Sequence, residues 1–242
     1  MNKMSKMKWQ YAEEELKDKV VILPIGALEA HGSHLPLGTD NYIAQELAER
    51  LTKQINGILL PLLPLGQVWS LRNFPGSISL QTETLISIIE DIAISLERHK
   101  VQCLVVVNAH FGNNQSLKKA ARNISANNEI EILHLTHPGL KSLENDLIDS
   151  KRAHSNYLHA EEIETSLMLN INPDLVNMKE AHPSYPQFPS YFSNYPLFWD
   201  QITEDAVLGD PTKATEVKGG KLLNGIVKEM KKIIKEFKRE VL

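Results

Sequence analysis

The chain has 242 residues, 42% of them hydrophobic and 23% charged, with a formal net charge of −4. With that charge no general electrostatic attraction to nucleic acid or an anionic membrane is expected. The composition suits one α/β domain of ordinary core density over residues 1–242. Cys103 is the only cysteine, which excludes an intramolecular disulfide, and in "VQCLVVV" it reads as a buried small hydrophobe. The N-terminal stretch lacks the apolar segment of a secretory leader. The longest apolar run, "ILLPLLPLG", is short and broken by Pro61 and Pro64, so no membrane span is expected and the expected location is the cytoplasm.

In chain order, "VVILPIG" (20–26) is a buried-strand candidate, followed by a polar loop and a helix from Asp40 to Gln54, where Ile43, Leu47 and Leu51 recur every four residues. "ILLPLLPL" is a second strand or extended segment, and "TETLISIIEDIAISLERHK" (82–100) is a well-patterned helix. Strand "VQCLVVV" (101–107), loop "NAHFGNN" (108–114), a helix from Gln115 to Ala126 and strand "IEILHLT" (130–136) follow. This alternation predicts a mostly parallel sheet with helices on both faces, a three-layer α/β/α domain. The Pro- and Tyr-rich stretch 181–196 is expected to be an irregular lid or subunit contact rather than a domain boundary. Near the C-terminus, Met230, Ile233, Ile234 and Phe237 recur at helical spacing, predicting an amphipathic helix with a solvated lysine face.

Ligands in open α/β sheets bind beyond the carboxyl ends of the strands. "GALEAHGSHLPLGTD" (26–40) leaves the first strand there and carries Glu29, His31, His34 and Asp40. The loop 108–114 places His110 at the same edge. Glu29 and His31, two apart, share one side of an extended segment. Asp40 has an ordinary competing role as a helix N-cap, a role that Thr39 also suits. A mixed Glu/His/Asp set without thiolates suits zinc, manganese or iron, and a bridging carboxylate can hold two such ions for carbonyl hydrolysis. His34 is expected to hold the loop rather than touch metal. No G-x-S-x-G motif offers a nucleophile.

A third cluster is "HAEEIETSLML" (159–169). If helical throughout, it puts His159 and Glu162 on one face and Glu161 and Glu164 on another. Acidic residues are also favoured there simply by the helix dipole. In "QVWSLRNFPG" (67–76), Trp69 offers a flat apolar wall, while Arg72 and Asn73 are candidates to orient a polar or anionic substrate group.

Together "LPIGALEAHGSHLPLGTD", "NAHFGNN" and "HAEEIETSLML", with "FPGSISL" (74–80) and "GDPTKAT" (209–215), resemble the motifs of the creatininase (creatinine amidohydrolase) family in order along nearly the whole chain. The resemblance implies an α/β fold with a dinuclear centre of two divalent ions, often in a hexameric homo-oligomer. Carried over by position, Glu29 binds one metal, His31 the other, Asp40 bridges both, His110 completes the first, and His159 is the catalytic histidine. The chain departs from creatininases at Gly112, where they carry a second-metal glutamate, and at His137 and Ser155, where they carry tryptophans. Glu162 or Glu164 is therefore expected to supply the missing ligand, with Glu164 assigned to the metal and Glu162 to catalysis. The implied activity is metal-dependent hydrolysis of a C–N amide bond in a small, cyclic or formylated, polar substrate other than creatinine. Two alternatives stay open: a formylamino-pyrimidine nucleotide deformylase, and a metal-binding member without hydrolase activity.

Overall fold

The computed structural model describes residues 2–17 and 19–242. Its elements are β1 (Asn2–Lys3), α1 (Trp9–Leu16), β2 (Val21–Ile25), α2 (Thr39–Ile55), β3 (Ile58–Leu59) and α3 (Thr82–Glu97). They continue with β4 (Cys103–Asn108), α4 (Asn114–Ser125), β5 (Glu131–Thr136), α5 (Leu140–Leu147), α6 (Glu162–Ile171) and α7 (Glu216–Glu240). The five strands pair in the order β1-β3-β2-β4-β5, and every pairing is parallel. This is an α/β fold.

The strands are apolar on both faces because both are covered. Ile22, Val105 and Val107 pack with residues of α2, α6 and α7. The alternate residues Val21, Leu23, Leu104 and Val106 pack with residues of α3 and α4. That period-two division places the sheet between two helical layers. "ILLPLLPL" departs from a regular strand after Leu59, since Pro61 and Pro64 have no N–H to donate; Leu63 still makes an isolated parallel bridge to Ile25.

Helices α6 and α7 pack closely against each other. A Cβ at Gly219 would run into the carbonyl of Ser166, so the two helices approach through glycine. The C-terminal helix begins at Glu216, earlier than the apolar spacing alone marks, with Thr215 capping it by accepting from Lys218 N.

Candidate metal centre

Three loops meet beyond the carboxyl ends of β2 and β4. Asparagines stitch them together. Asn113 Nδ2 donates to Gly26 O and Asn108 Oδ1 (3.0 Å each), and its Oδ1 accepts from Gln67 N (2.9 Å). Asn108 Nδ2 donates to His110 O (2.7 Å) and to Thr136 Oγ1 (3.0 Å). Both side chains are fully buried. These bonds span up to 87 residues of sequence, and no local pattern announces them.

Within this frame, Glu29, His31, Asp40, His110, His159 and Glu164 converge, all buried. Their potential ligand atoms form three close groups: Glu29–Asp40–His110, His31–Asp40–Glu164 and Glu29–His31–His159. The first two share Asp40. Asp40 lies in the first turn of α2 and Glu164 in the first turn of α6, where the helix dipole favours the carboxylate. Asp40 is not the cap; Gly38 occupies that position.

The hydrogen bonds of the three histidines fix which nitrogen carries the proton. His31 Nδ1 lies 3.1 Å from Glu29 O, His110 Nε2 2.7 Å from Gln67 O, and His159 Nε2 2.7 Å from Ala30 O. A carbonyl only accepts, so these nitrogens donate, and the neutral ring presents a lone pair from the other. Those lone pairs face carboxylates. His110 Nδ1 is 3.1 Å from both Glu29 Oε1 and Asp40 Oδ2. His31 Nε2 is 3.4 Å from Asp40 Oδ1 and 3.7 Å from Glu164 Oε2, and His159 Nδ1 is 3.7 Å from Glu29 Oε1. Lone pairs facing carboxylate oxygens repel unless protons or cations lie among them. Glu29 Oε2, His31 Nε2 and Asp40 Oδ2 make no hydrogen bond among the described residues. The donor set therefore fits divalent cations on chemistry as well as position.

The titration behaviour of the protein groups themselves reflects the same crowding. Burial opposes ionisation of His31, yet Asp40, Glu164 and Glu29 outweigh it and push the ring up to about 9. Burial raises Glu164 to about 7, partly offset by His31, with Asp40 adding to the rise. His159 is held well below the ordinary histidine value by burial and then by the charge of His31. Its neutral form is the stable one here.

Glu162 does not join this cluster. It accepts from Asp149 N (3.2 Å) and Ser150 N (2.7 Å) and is paired with Lys218 Nζ, which tethers α6 to the start of α7. Nor does His159 share a helix face with it. His159 precedes α6 in a bridge with Leu208, and Ala160, at φ 50°, turns the chain between them. The same turn lets Ala160 N donate to Glu164 Oε2 (2.6 Å). His34 stands outside the three groups, with Nε2 at 2.9 Å from Thr165 Oγ1. At Gly112 a Cβ would overlap His110 Nε2 and Gln67 O. A side chain there is incompatible with the bond that orients His110.

A cavity of about 440 Å³ opens over the cluster, lined by Glu29, Asp40, His110, His159 and Glu164. Trp69 lines it. Arg72 and Asn73 do not: the Arg72 guanidinium stacks 4.3 Å from the Phe198 ring centroid, and Asn73 Nδ2 donates to Asp200. His137 is buried outside the cavity lining and Ser155 is exposed. Further aromatic lining comes from Tyr157, Phe192, Tyr195 and Trp199. The irregular 181–196 segment thus contributes to the cavity, anchored by the Ser184–Gly209 bridge and by His182 Nε2 at 2.6 Å from Asp205. Trp199 stands edge-on to His159, centroids 5.4 Å apart.

A model of the creatininase (creatinine amidohydrolase) family matches residues 5–234. Creatinine amidohydrolase of Pseudomonas putida is 26% identical over 90% of both chains. The mycofactocin precursor peptide peptidase of Mycobacterium ulcerans is 28% identical over 86% of this chain and 81% of its own. A solved mutant creatininase of Zn-Zn type superposes with a TM-score of 0.85 at 25% identity, covering 97% of each chain. With a five-stranded parallel sheet, three carboxylate–histidine groups at its edge and a match over nearly the full length, the chain belongs to the creatininase family.

Proposed function

We propose that the protein is a metal-dependent hydrolase of a C–N amide bond in a small, cyclic or formylated, polar molecule. The observation that carries this reading is the pair of ligand groups sharing Asp40 at the floor of the cavity. Glu29, Asp40 and His110 would hold one divalent ion, and His31, Asp40 and Glu164 a second. Bound there, such ions lower the pKa of water toward neutrality and polarise a carbonyl. The zinc, manganese or iron suited to this donor set accords with the Zn-Zn type of the solved relative.

The chain's own groups do the rest. Gln67 O and Glu29 O lock His110 and His31 in the tautomers that offer lone pairs inward. His159, anchored on Ala30 O, keeps Nδ1 free to accept a proton at the cluster and return it to the leaving amine. Trp69 and Trp199 restrict bulk water and hold the substrate body.

The test is amine release from a panel of cyclic and formylated amides. Turnover is expected with zinc- or manganese-loaded protein, to vanish with a chelator, and to return on metal addition. Asp40→Asn should remove it altogether. Turnover indifferent to chelation would contradict the reading.

A further inference from the structure

The cavity's walls carry information that its metal-facing floor does not. Among the described residues that line it there is no lysine or arginine. A phosphate or carboxylate on the substrate body would therefore meet no side-chain counter-charge on these walls. Arg72, the cation beside Trp69, is stacked over Phe198 and Trp69 outside the lining. Trp69, Tyr157, Phe192, Tyr195 and Trp199 supply aromatic surface, which suits a flat apolar body. A volume of about 440 Å³ is in the range of pockets that take drug-sized ligands, larger than one small ring needs.

One polar group in this wall is incomplete. Ser116, in the first turn of α4, is 1% exposed, lines the cavity, and its Oγ has no hydrogen-bond partner among the described residues. No backbone carbonyl or side chain of the described residues pairs with it. A buried hydroxyl without a partner is unfavourable unless a ligand or water completes it.

Resting on the hydrolase reading above, we propose that the substrate is an uncharged amide bearing an aromatic group. Its ring packs against the Trp69–Trp199 wall and a hydroxyl or amide group on it hydrogen-bonds Ser116. This assigns Ser116 as a specificity residue and disfavours phosphorylated substrates, including a formylamino-pyrimidine nucleotide.

The probes are formanilide, 4-hydroxyformanilide and 4-carboxyformanilide, titrated into zinc-loaded full-length protein and followed by tryptophan emission. Trp69 and Trp199 report from the cavity, and Trp9→Phe removes the exposed third tryptophan. The neutral probes should bind at least tenfold more tightly than the carboxylate. Ser116→Ala should weaken 4-hydroxyformanilide about fivefold, the size of one net hydrogen bond, and leave formanilide unchanged, which also shows that the variant folds. Equal or tighter binding of the carboxylate would overturn the proposal, and its loss in Arg72→Ala would make Arg72 the anion-binding group. Equal effects of Ser116→Ala on both neutral probes would remove Ser116 from recognition. The expected selectivity without hydrolysis of any probe or amide would support this proposal and overturn the hydrolase reading.

Discussion

Glu162 and Glu164 lie two residues apart at the start of α6, and both are buried. Their surroundings are opposite in kind. Glu162 faces a lysine ammonium and two backbone N–H groups, so its charge is compensated within the chain. Glu164 shares its space with Asp40, Glu29 and the lone-pair side of His31, and among the described residues receives only the Ala160 N–H. A buried carboxylate with its counter-charge present is a structural tether. One that adds negative charge to others marks a place where a cation belongs.

The sharpest way to break the comparison is to disable the cluster without disturbing the tether. His159→Gln should lower kcat roughly 10²- to 10⁴-fold, the usual contribution of a positioned acid–base group, while metal content, measured by elemental analysis, stays the same. Loss of metal instead would make His159 a ligand. A smaller effect is expected from Gly112→Ala. The added Cβ displaces the His110 ring from Gln67 O, and metal affinity should fall roughly 10- to 100-fold, as when a partner that orients a ligand is lost. The smallest effect on chemistry belongs to Glu162→Gln. It should leave kcat and metal content alone but cost about 3 kcal/mol of stability, as breaking a buried ion pair does. Calorimetry would read this as a Tm lower by roughly 6–12 °C.

Much of this was legible in the chain. The helix and strand periods placed β2, α2, α3, β4, α4 and β5 within a few residues, because each buries a regular apolar face. The two-residue spacing of Glu29 and His31 in an extended loop anticipated their meeting, and the edge rule brought His110 to them. What stayed hidden depended on distant partners or on irregular backbone. Lys218 claims Glu162 from 56 residues away, so helix phase alone had no means of separating Glu162 from Glu164. The left-handed turn at Ala160 takes His159 off the helix, and alanine gives no warning of such a conformation. Trp199, Tyr195 and Phe192 reach the cavity from segments without periodicity. The helices α1 and α5, eight residues each, are too short for their period to stand out.

Counting metal per chain in three proteins prepared alike tests the central claim most directly. After zinc or manganese loading and removal of loose metal, the unaltered protein and Glu162→Gln should each hold two ions. Glu164→Gln should hold one, because the His31–Asp40–Glu164 group loses a ligand while Glu29–Asp40–His110 does not. Two ions in all three proteins, or a loss that follows Glu162 instead of Glu164, would contradict the account.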